Sequence, residues 1–429
     1  MTKSELLELI TNGENSKVEF KRDDLRPEQL AKEVVALINF NGGRILLGVD
    51  DDGTITGIQQ RTNLEQWVMD TVFGRYVHPV FIPSYEEVQI DDQYRVAVIT
   101  VSQGTTKPYV LRHNGREDIY IRLGSTSRVA TREQQARLFE IGGMLHAELL
   151  PVSGSSLRDL SLERLRHYLT SIVGDKAIPS TDETWGDRLC DLGFMTEREN
   201  DTPVCTMAGL VLFGYKPRTL MRHAGIRWMA FKGDEKAYDA LDDQVLDGPL
   251  IAHWIEQSGN RREIVEKGLI ELIIDSMRPF VSEESGKVDE SMRRERHWYY
   301  PLEVLREALL NALAHRDWTR SEEIEVVSYV NRLEILSPGA LQNSMTIQKM
   351  IAGQRSRRNS IIVDVLKDYG YVDSRGMGVR NKIIPLLQEH NGTEPDFIAT
   401  DDHLKLIMHR APKQIEINSQ FTLDDSLGD

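Results

Sequence analysis

The sequence is poor in cysteine: Cys190 and Cys205 are the only two in 429 residues. Two cysteines exclude a disulfide-rich scaffold, and they lack the paired spacing of a zinc site. Both are therefore predicted to be small buried side chains in a reducing compartment. Long apolar runs are missing too, since no stretch approaches the roughly 20 residues that a membrane helix needs and the N-terminus has no apolar signal core. These absences predict a cytoplasmic protein with no membrane partner.

The glycine-rich loop Gly-x-x-x-x-Gly-Lys-Ser/Thr, which cradles phosphates in many nucleotide-driven motors, is absent as well. A helicase or an AAA-type motor is therefore unsupported. What is present is ordinary for a globular protein, with 40% hydrophobic and 28% charged residues. A chain of 429 residues is too long for one core, so two or three domains are expected.

Charge is unevenly distributed along the chain. The net charge of −15 disfavours extensive nonspecific binding to DNA. Residues 101–132 are an exception, because six basic residues stand there against two acidic ones, a net charge of +4. A basic segment in an acidic chain indicates a place where the backbone of RNA or DNA binds. The alternative is the solvated face of a β-hairpin. The side chains predicted to bind the nucleic acid are Lys107, Arg112, Arg116, Arg122 and Arg128.

Hydrophobic periodicity predicts a multi-domain α+β chain. Its predicted parts are an N-terminal α+β domain at 1–145, a polar linker at 146–161, a small middle α/β region at 162–290, a C-terminal domain at 291–411 and a mobile acidic tail at 412–429. Within the middle region, the pattern predicts a strand over Val204–Phe213 and a largely helical stretch over Leu250–Arg278. Pro279 is the predicted end of that stretch.

The first motif is a set of acidic residues near the N-terminus. Glu14 and Glu19 flank the start of one predicted strand, and Asp50 ends the next. If the strands pair, the three carboxylates converge, and such a cluster is tolerated where Mg²⁺ or Mn²⁺ neutralises it. Lys21 would add positive charge near a scissile phosphate. The alternative, which spacing alone favours, is solvated acids beside turns, with Asp51-Asp52-Gly53 an ordinary hairpin turn.

Four separated motifs follow one another along residues 10–140. They are Glu14-Asn15-Ser16-Lys17-Val18-Glu19-Phe20-Lys21, Asn39-Phe40-Asn41-Gly42-Gly43, Gly48-Val49-Asp50-Asp51-Asp52-Gly53 and Tyr120-Ile121-Arg122-Leu123-Gly124-Ser125-Thr126-Ser127. In this order they resemble the AlbA-type domain of the Schlafen family. One departure is Asn15, where Ser usually follows the first Glu, although the spacing to the second Glu is kept.

The resemblance carries an implied chemistry. Nuclease members of that family use two glutamates and an aspartate for metal-dependent cleavage of structured RNA such as tRNA. It therefore implies Glu14, Glu19 and Asp50 as catalytic residues and ligands of Mg²⁺ or Mn²⁺, with Lys21 beside them and Asp52 as the fallback for the third. Many bacterial relatives carry the same motif and are described only as DNA-binding regulators. The resemblance supports nucleic-acid handling more strongly than cleavage.

The second motif lies on a predicted helix over Leu302–His315. Glu307, Asn311 and His315 follow one another at a spacing of four residues and share one helix face. A polar line on a helix rich in Leu and Ala indicates a polar ligand: Glu307 could orient an attacking water, and Asn311 could bind Mg²⁺ on a triphosphate. The alternative is a solvent-facing stripe, but Asn and His are poor choices for such a face.

Three shorter motifs follow this helix: Ile335-Leu336-Ser337-Pro338-Gly339, Arg358-Asn359 and Gly376-Met377-Gly378. The helix resembles the N-box of the GHKL ATPases, and the whole set resembles the GHKL-like domain that follows AlbA-type domains in bacterial regulators. This resemblance implies a Bergerat-type α/β sandwich, ATP as the candidate cofactor and self-association, because GHKL-type domains often pair. The implied nucleotide-binding residues are Glu307, Asn311, His315, Asp317, Gly339, Gly376 and Gly378, with Asn311 also a metal ligand. One departure is the Asp-x-Gly-x-Gly segment of the true ATPases, which Ser337-Pro338-Gly339 replaces; ATP binding and hydrolysis therefore stay open.

Three functions remain open on the sequence alone. The first is a metal-dependent endoribonuclease gated by the C-terminal domain, with a role in anti-phage defence. The second is a nucleotide-responsive, nucleic-acid-binding transcriptional regulator that does not cleave. The third is a scaffold in which both sites are inactive.

Overall fold

The computed structural model describes residues 1–58, 63–198, 201–257, 261–288, 294–342, 345–354, 356, 358–372 and 378–411. The predicted acidic tail at 412–429 and Gly376 lie outside these residues. Within the described part of the chain, no helix is long and apolar enough to cross a membrane.

The N-terminal domain is built on a mixed four-stranded sheet flanked by helices. Its helices are α1 (Lys3–Asn12), α2 (Pro27–Asn39), α3 (Leu64–Gln66, continued by a π-helix over Trp67–Tyr76) and α4 (Arg132–Ile141). Its strands are β1 (Val18–Lys21), β2 (Gly43–Leu47), β3 (Val77–His78), β4 (Ser84–Gln89), β5 (Arg95–Val101), β6 (Val110–His113), β7 (Arg116–Asp118), β8 (Tyr120–Leu123) and β9 (Thr126–Val129).

Helix α2 explains why the first two strands run parallel. The sheet order is β1-β2-β5-β4, and β1 pairs parallel with β2 while the other pairs are antiparallel. A parallel pair needs a crossover, and α2 supplies it. Its predicted apolar face is fully buried: Leu30, Val34, Leu37 and Ile38 have no exposed surface. The N-terminal half is therefore a small α+β domain in which the end of β1 lies beside the end of β2.

Residues 146–161 pack against the rest of the protein and are not a flexible linker. The predicted polar linker contains Ala147, Val152 and Leu160, and all three are buried in the main hydrophobic core. Val152 also donates its N–H to the carbonyl of Cys205 at 2.8 Å. The composition of this segment suggested a flexible linker because serine and glycine residues lie between its few buried apolar residues.

The remainder of the chain has many elements. Its helices are α5 (Leu162–His167, continued by a π-helix over Tyr168–Val173), α6 (Asp182–Asp191), α7 (Met207–Phe213), α8 (Leu269–Val281), α9 (Leu302–His315), α10 (Ile347–Ile351), α11 (Ser360–Asp368) and α12 (Ile384–Asn391, preceded by a π-helix over Val379–Ile383). Its strands are β10 (Met195–Arg198), β11 (Asp201–Cys205), β12 (Ile226–Ala230), β13 (Asp242–Leu246), β14 (His253–Gln257), β15 (Arg261–Glu266), β16 (Ser282–Val288), β17 (Arg294–Trp298), β18 (Ile324–Ser328), β19 (Arg332–Pro338), β20 (Asp396–Ala399) and β21 (His403–His409).

The predicted middle region and C-terminal domain share one sheet and one core. The six strands lie in the order β13-β12-β18-β19-β21-β20, and β12 pairs parallel with β18 across the predicted boundary at 290/291. Helices α8 and α9 pack on one face of this sheet, which makes an α/β sandwich. A single hydrophobic core runs from Ala147 to Met408. The same sheet and the same core therefore include residues on both sides of the predicted boundary at 290/291.

Three local predictions in the middle region are wrong. Met207–Phe213 is helical, where the sequence pattern predicted a strand, because Thr206 accepts a hydrogen bond from Gly209 and caps a helix there. The stretch after Leu250 is mostly a β-hairpin, β14–β15, before α8 begins. Pro279 lies inside the last turn of α8, so the helix does not stop there. The helix over Leu302–His315 has the bounds that the sequence predicted.

Candidate nucleotide cavity and carboxylate cluster

Glu14 and Glu19 lie close together at the start of β1. The carboxylate of Glu14 accepts a hydrogen bond from the N–H of Phe20 at 2.8 Å, which brings it back onto the strand. Burial raises the pKa of Glu14, and the charge of Glu19 adds to this, although the bond from Phe20 opposes both. The half-buried carboxylate of Glu14 thus lies close enough to the buried carboxylate of Glu19 for their charges to interact.

Glu19 is held on both sides by cations. One carboxylate oxygen lies 2.5 Å from Nζ of Lys21, and the other lies 2.5 Å from Nη2 of Arg122. Arg122 also pairs with Glu33 at 3.1 Å, and Ser127 donates to the same Glu33 oxygen. Although burial opposes its charge, the contact with Glu19 raises the pKa of Lys21. Glu19, Lys21, Arg122 and Glu33 therefore form a buried network in which the charges compensate one another.

The arrangement does not fit the predicted metal site. Asp50 lies beyond the end of β2 and is 3.7 Å from Nη1 of Arg22, while both oxygens of Glu19 already contact cations. Across the described ranges, no group of three or more Asp, Glu, His or Cys side chains is placed to hold a metal ion. Asp52, the fallback ligand, is fully exposed and accepts a bond from the N–H of Thr54 in the hairpin turn.

Two of the predicted nucleic-acid-binding residues are buried. Lys107 is 4% exposed and donates to the carbonyl of Phe40 at 2.9 Å, and burial lowers its pKa to about 8 against the opposing charge of Asp401. Arg122 is the centre of the network just described. The prediction that both reach the surface is wrong, because each serves as an internal cross-link. Arg112, Arg116 and Arg128 are exposed on the hairpins β6–β7 and β8–β9.

The asparagine of the motif Asn39-Phe40-Asn41-Gly42-Gly43 has a structural role. The side chain of Asn39 donates to the carbonyls of Tyr109 and Tyr120 and accepts from the N–H of Tyr109. It joins the end of α2 to β8 and the segment before β6. A side chain on Gly43 would lie 2.5 Å from the carbonyl of Lys17, so only glycine fits beside β1. Asn39 and Gly43 of this motif therefore stabilise the fold of the domain.

A cavity of about 220 Å³ lies in the C-terminal half, against the polar face of α9. Five of the predicted nucleotide-binding residues line it: Glu307, Asn311, His315, Gly339 and Gly378. Its other walls are largely apolar, with contributions from Ile335, Met345, Met350, Val363, Val379, Phe397 and Leu406. The i, i+4, i+8 line on α9 therefore faces the cavity.

Glu307 lies where α9 meets the start of the Val379–Ile383 helix. A β-carbon on Gly378 would lie 1.8 Å from Oε1 of Glu307, so a larger residue there would displace the carboxylate. The other oxygen of Glu307 is 3.2 Å from Nζ of Lys382. The Glu307 carboxylate, which lines the cavity, is thus paired with a lysine outside the cavity lining.

Asn311 and His315 present polar atoms to the cavity. Within the described part of the chain, the side-chain amide of Asn311 has no hydrogen-bond partner, which leaves it free for a ligand. His315 is exposed and borders the cavity, and desolvation by the surrounding groups together with the charge of Arg358 lowers its pKa to about 4. At neutral pH the imidazole is therefore uncharged and can both donate and accept.

Asp317 does not line the cavity. It is 3% exposed, and one oxygen accepts from the N–H and hydroxyl of Thr319 at 2.9 and 2.6 Å. Its backbone N–H donates to the carbonyl of Pro338. The prediction that it binds nucleotide is corrected to a structural role, in which it joins the end of α9 to the Gly339 loop.

Other residues at the cavity were not predicted as ligands. Arg358 and Gln342 line it, and both contact Glu140 of α4 in the N-terminal domain. Asn359 bonds the carbonyls of Ala314 and Arg316 and so closes the end of α9. The sequence offered one signal, the Arg358-Asn359 motif, but the partner of Arg358 lies 218 residues away and no local pattern could identify it.

Two solved structures are similar to this chain. The DIP2311 protein from Corynebacterium diphtheriae is 20% identical over 92% of this chain and 76% of its own, with a TM-score of 0.41. The N-terminal domain of the "Putative ATP-dependent DNA Helicase RecG-related Protein" from Nitrosomonas europaea is 20% identical over 30% of this chain and 94% of its own, with a TM-score of 0.25. No curated protein matches the chain.

Two family models match separate segments. Residues 14–131 match the family "Schlafen, AlbA_2", which confirms the resemblance seen in the N-terminal motifs. Residues 321–408 match the family "Putative ATP-dependent DNA helicase recG C-terminal", an ATPase-like domain. The chain thus joins an N-terminal segment that matches the Schlafen AlbA_2 model to a C-terminal segment that matches the ATPase-like recG C-terminal model.

Proposed function

We propose that this protein binds a nucleotide in its C-terminal cavity and uses it to control nucleic-acid binding by its N-terminal domain. Both matched families indicate a nucleic-acid-related function. The observation that carries the proposal is the convergence of Glu307, Asn311, His315, Gly339 and Gly378, chosen from sequence as nucleotide ligands, on one cavity.

The chemistry of the cavity fits a nucleotide such as ATP. Ligand sites are mostly apolar and carry a few convergent polar groups, as this one does. The apolar walls suit a base, while Arg358 and Lys367 supply positive charge for phosphates. Asn311 would hold the Mg²⁺ that neutralises a triphosphate when one is bound. Glu307 is paired with Lys382, so its use in orienting a water for hydrolysis would require that pair to open.

Calorimetric titration with ATP and Mg²⁺ tests the nucleotide site. The unaltered protein is expected to bind, and Asn311→Ala is expected to weaken binding at least about tenfold, because an unreplaced polar contact to a charged ligand contributes roughly 1.5–3 kcal/mol. Asn331→Ala makes the same substitution in the exposed turn between β18 and β19 and should leave affinity unchanged. Absence of ATP binding, or equal loss in both variants, would refute the site.

The N-terminal contribution to the proposal rests on exposed arginines. Arg112, Arg116 and Arg128 project from two adjacent hairpins of an otherwise acidic chain. Arg112 is already paired with Glu117 at 2.5 Å, which leaves the other two better placed to meet phosphates. Guanidinium groups bind phosphate oxygens in pairs, and this supports RNA or DNA as the partner.

A second candidate, metal-dependent cleavage of structured RNA, is favoured by the closeness of Glu14 and Glu19. Burial and the Glu19 charge both raise the pKa of Glu14, and a divalent cation would relieve that repulsion. The contacts of Glu19 with Lys21 and Arg122 work against it, because those cations already neutralise the carboxylate. Because of these contacts, nucleic-acid binding is the preferred function and cleavage is the second candidate.

Incubation of tRNA with the protein and Mn²⁺ distinguishes the two candidates. Cleavage that is lost in Asp50→Asn and kept in Asp24→Asn would establish the nuclease, since Asp24 is a nearby exposed acid outside the predicted triad. An intact tRNA, or cleavage that survives Asp50→Asn, would remove the nuclease and leave the binding function.

A further inference from the structure

Glu140 crosses from the N-terminal domain to the wall of the C-terminal cavity. It lies in the last turn of α4 and is 1% exposed, although carboxylates are almost never buried without a partner. Helix α4 belongs to the N-terminal domain through Leu138, which packs against Ile119 and Ala130. The Glu140 side chain is thus anchored in one domain and finds its partners in the other.

Those partners are two cavity-lining side chains. The Glu140 carboxylate forms a two-pronged ion pair with Arg358, in which Nε contacts one oxygen and Nη2 lies 3.2 Å from the other. Gln342 donates to the same carboxylate at 3.1 Å and to the backbone carbonyl of Glu140 at 3.2 Å. Both of these cavity-lining side chains are thus bound to one residue of the N-terminal domain.

Arg358 also fixes the cavity floor. It donates to the carbonyls of His315 and Ala340 at 3.2 and 2.9 Å. Gly339 has a positive φ of 116°, and a β-carbon there would lie 2.3 Å from Nη1 of Arg358, so this loop can follow the guanidinium closely only as glycine. Movement of Arg358 therefore alters the cavity and the contact with α4 together.

Burial makes the charged form of Glu140 costly. Burial raises the pKa of Glu140 to about 7, and nearby Asp317 adds to this, although Arg358 and Gln342 oppose it. Desolvation of a buried pair often offsets most of its attraction. A bound anion with several oxygen atoms, such as a phosphate group, could therefore displace the Glu140 carboxylate from Arg358.

We propose that Glu140 and the phosphates of a bound nucleotide compete for Arg358, so that nucleotide binding releases the end of α4 and signals to the N-terminal domain. This latch, the ion pair between Glu140 and Arg358, rests on the proposed nucleotide site. It is the contact through which the nucleotide would control the N-terminal domain. A ligand that favours the released state shifts the population by its difference in affinity for the two states. Without the Glu140 carboxylate, the nucleotide would no longer have to break the ion pair, and it should therefore bind more tightly.

Titration of the full chain and of Glu140→Gln with ATP and with adenosine tests the latch. The substitution keeps the shape and removes the charge, so ATP affinity is expected to rise about tenfold while adenosine affinity stays unchanged, because adenosine has no phosphate. Glu133→Gln, on the exposed first turn of α4, is the matched control and should change neither affinity.

Hydrogen–deuterium exchange of the unaltered protein gives a second measurement that needs no variant. ATP is expected to raise exchange in residues 132–141, and adenosine is not. ATP affinity equal in the full chain and in Glu140→Gln, or exchange in α4 unaffected by ATP, would overturn the latch while leaving the nucleotide site standing. Failure of any protein to bind ATP would overturn both.

Discussion

Buried glutamates paired with distant arginines recur at both ends of this molecule. Glu19 contacts Arg122, and Glu140 contacts Arg358. The first pair lies within one domain and the second joins two. Because each carboxylate was taken out of water, each arginine is needed to keep its partner charged, and neither arginine is available to a ligand without a rearrangement.

Replacement of Arg122 should destabilise the N-terminal domain. Arg122→Met leaves Glu19 and Glu33 facing each other without their shared cation, and breaking a buried pair typically costs roughly 3–5 kcal/mol. Arg112→Met, in the same basic segment but on an exposed pair with Glu117, should cost less than about 1 kcal/mol. Urea unfolding followed by circular dichroism measures both. Equal costs would contradict the buried network.

Glu140 should give the protein a distinctive pH dependence. A carboxyl whose pKa is raised from its ordinary 4.5 to about 7 binds protons more tightly in the folded state. Its contribution to the free energy of unfolding is therefore complete below about pH 4.5 and declines as the pH rises towards 7, by at most about 1.4 kcal/mol per pH unit. Thermal unfolding of the full chain and of Glu140→Gln across this range should show the difference. Parallel pH profiles would contradict it.

At the scale of elements, hydrophobic periodicity predicted those helices and strands that have a strong periodic pattern within their own sequence. Helix α9 has its predicted bounds, and α2 buries its predicted face. The hairpin β14–β15 was missed, since neither strand shows a strict alternation of apolar and polar residues, and the pairing of Trp254 with Ile264 joins two separate segments. Arg122 was misplaced because composition counts charges and does not show that Glu19 and Glu33, far away in sequence, would enclose one of them.

The hairpins β6–β7 and β8–β9 should carry most of the affinity for nucleic acid. Arg116→Ala and Arg128→Ala are each expected to weaken binding similarly for all sequences and to reduce the slope of log affinity against log salt by about 1. Arg158→Ala, an exposed arginine in the segment 146–161 outside these hairpins, is the control and should leave that slope unchanged. A slope that is insensitive to both hairpin variants would place the nucleic acid elsewhere.

At the scale of the whole molecule, the sequence predicted the two kinds of domain and misjudged where the second begins. Strand β12 pairs with β18, and the core of residues 147–408 includes both. Sequence patterns could not show this, because the pairing joins strands about 100 residues apart through the intervening β-hairpins and two helices. The five predicted nucleotide ligands on the cavity wall, by contrast, came from motifs that are local in sequence.

The shared core predicts how fragments behave. A fragment of residues 146–411 should fold as one cooperative unit, whereas a fragment of residues 291–411 lacks β12, β13 and α8 and should not. Removal of these elements exposes Val326, Leu309 and their neighbours, which are fully buried in the full chain. Circular dichroism and thermal melting of the two fragments decide the matter. A cooperative melt of residues 291–411 alone would show that the predicted boundary at 290/291 is real.

The most direct test of the account is the affinity of the full chain for nucleic acid with and without ATP. Fluorescence anisotropy of a labelled tRNA, with a DNA duplex in parallel, gives this affinity. ATP with Mg²⁺ is predicted to change it at least about threefold in the unaltered protein and to have no effect in Asn311→Ala. Binding that ATP leaves unchanged, in a protein that calorimetry shows to bind ATP, would contradict control of one domain by the other.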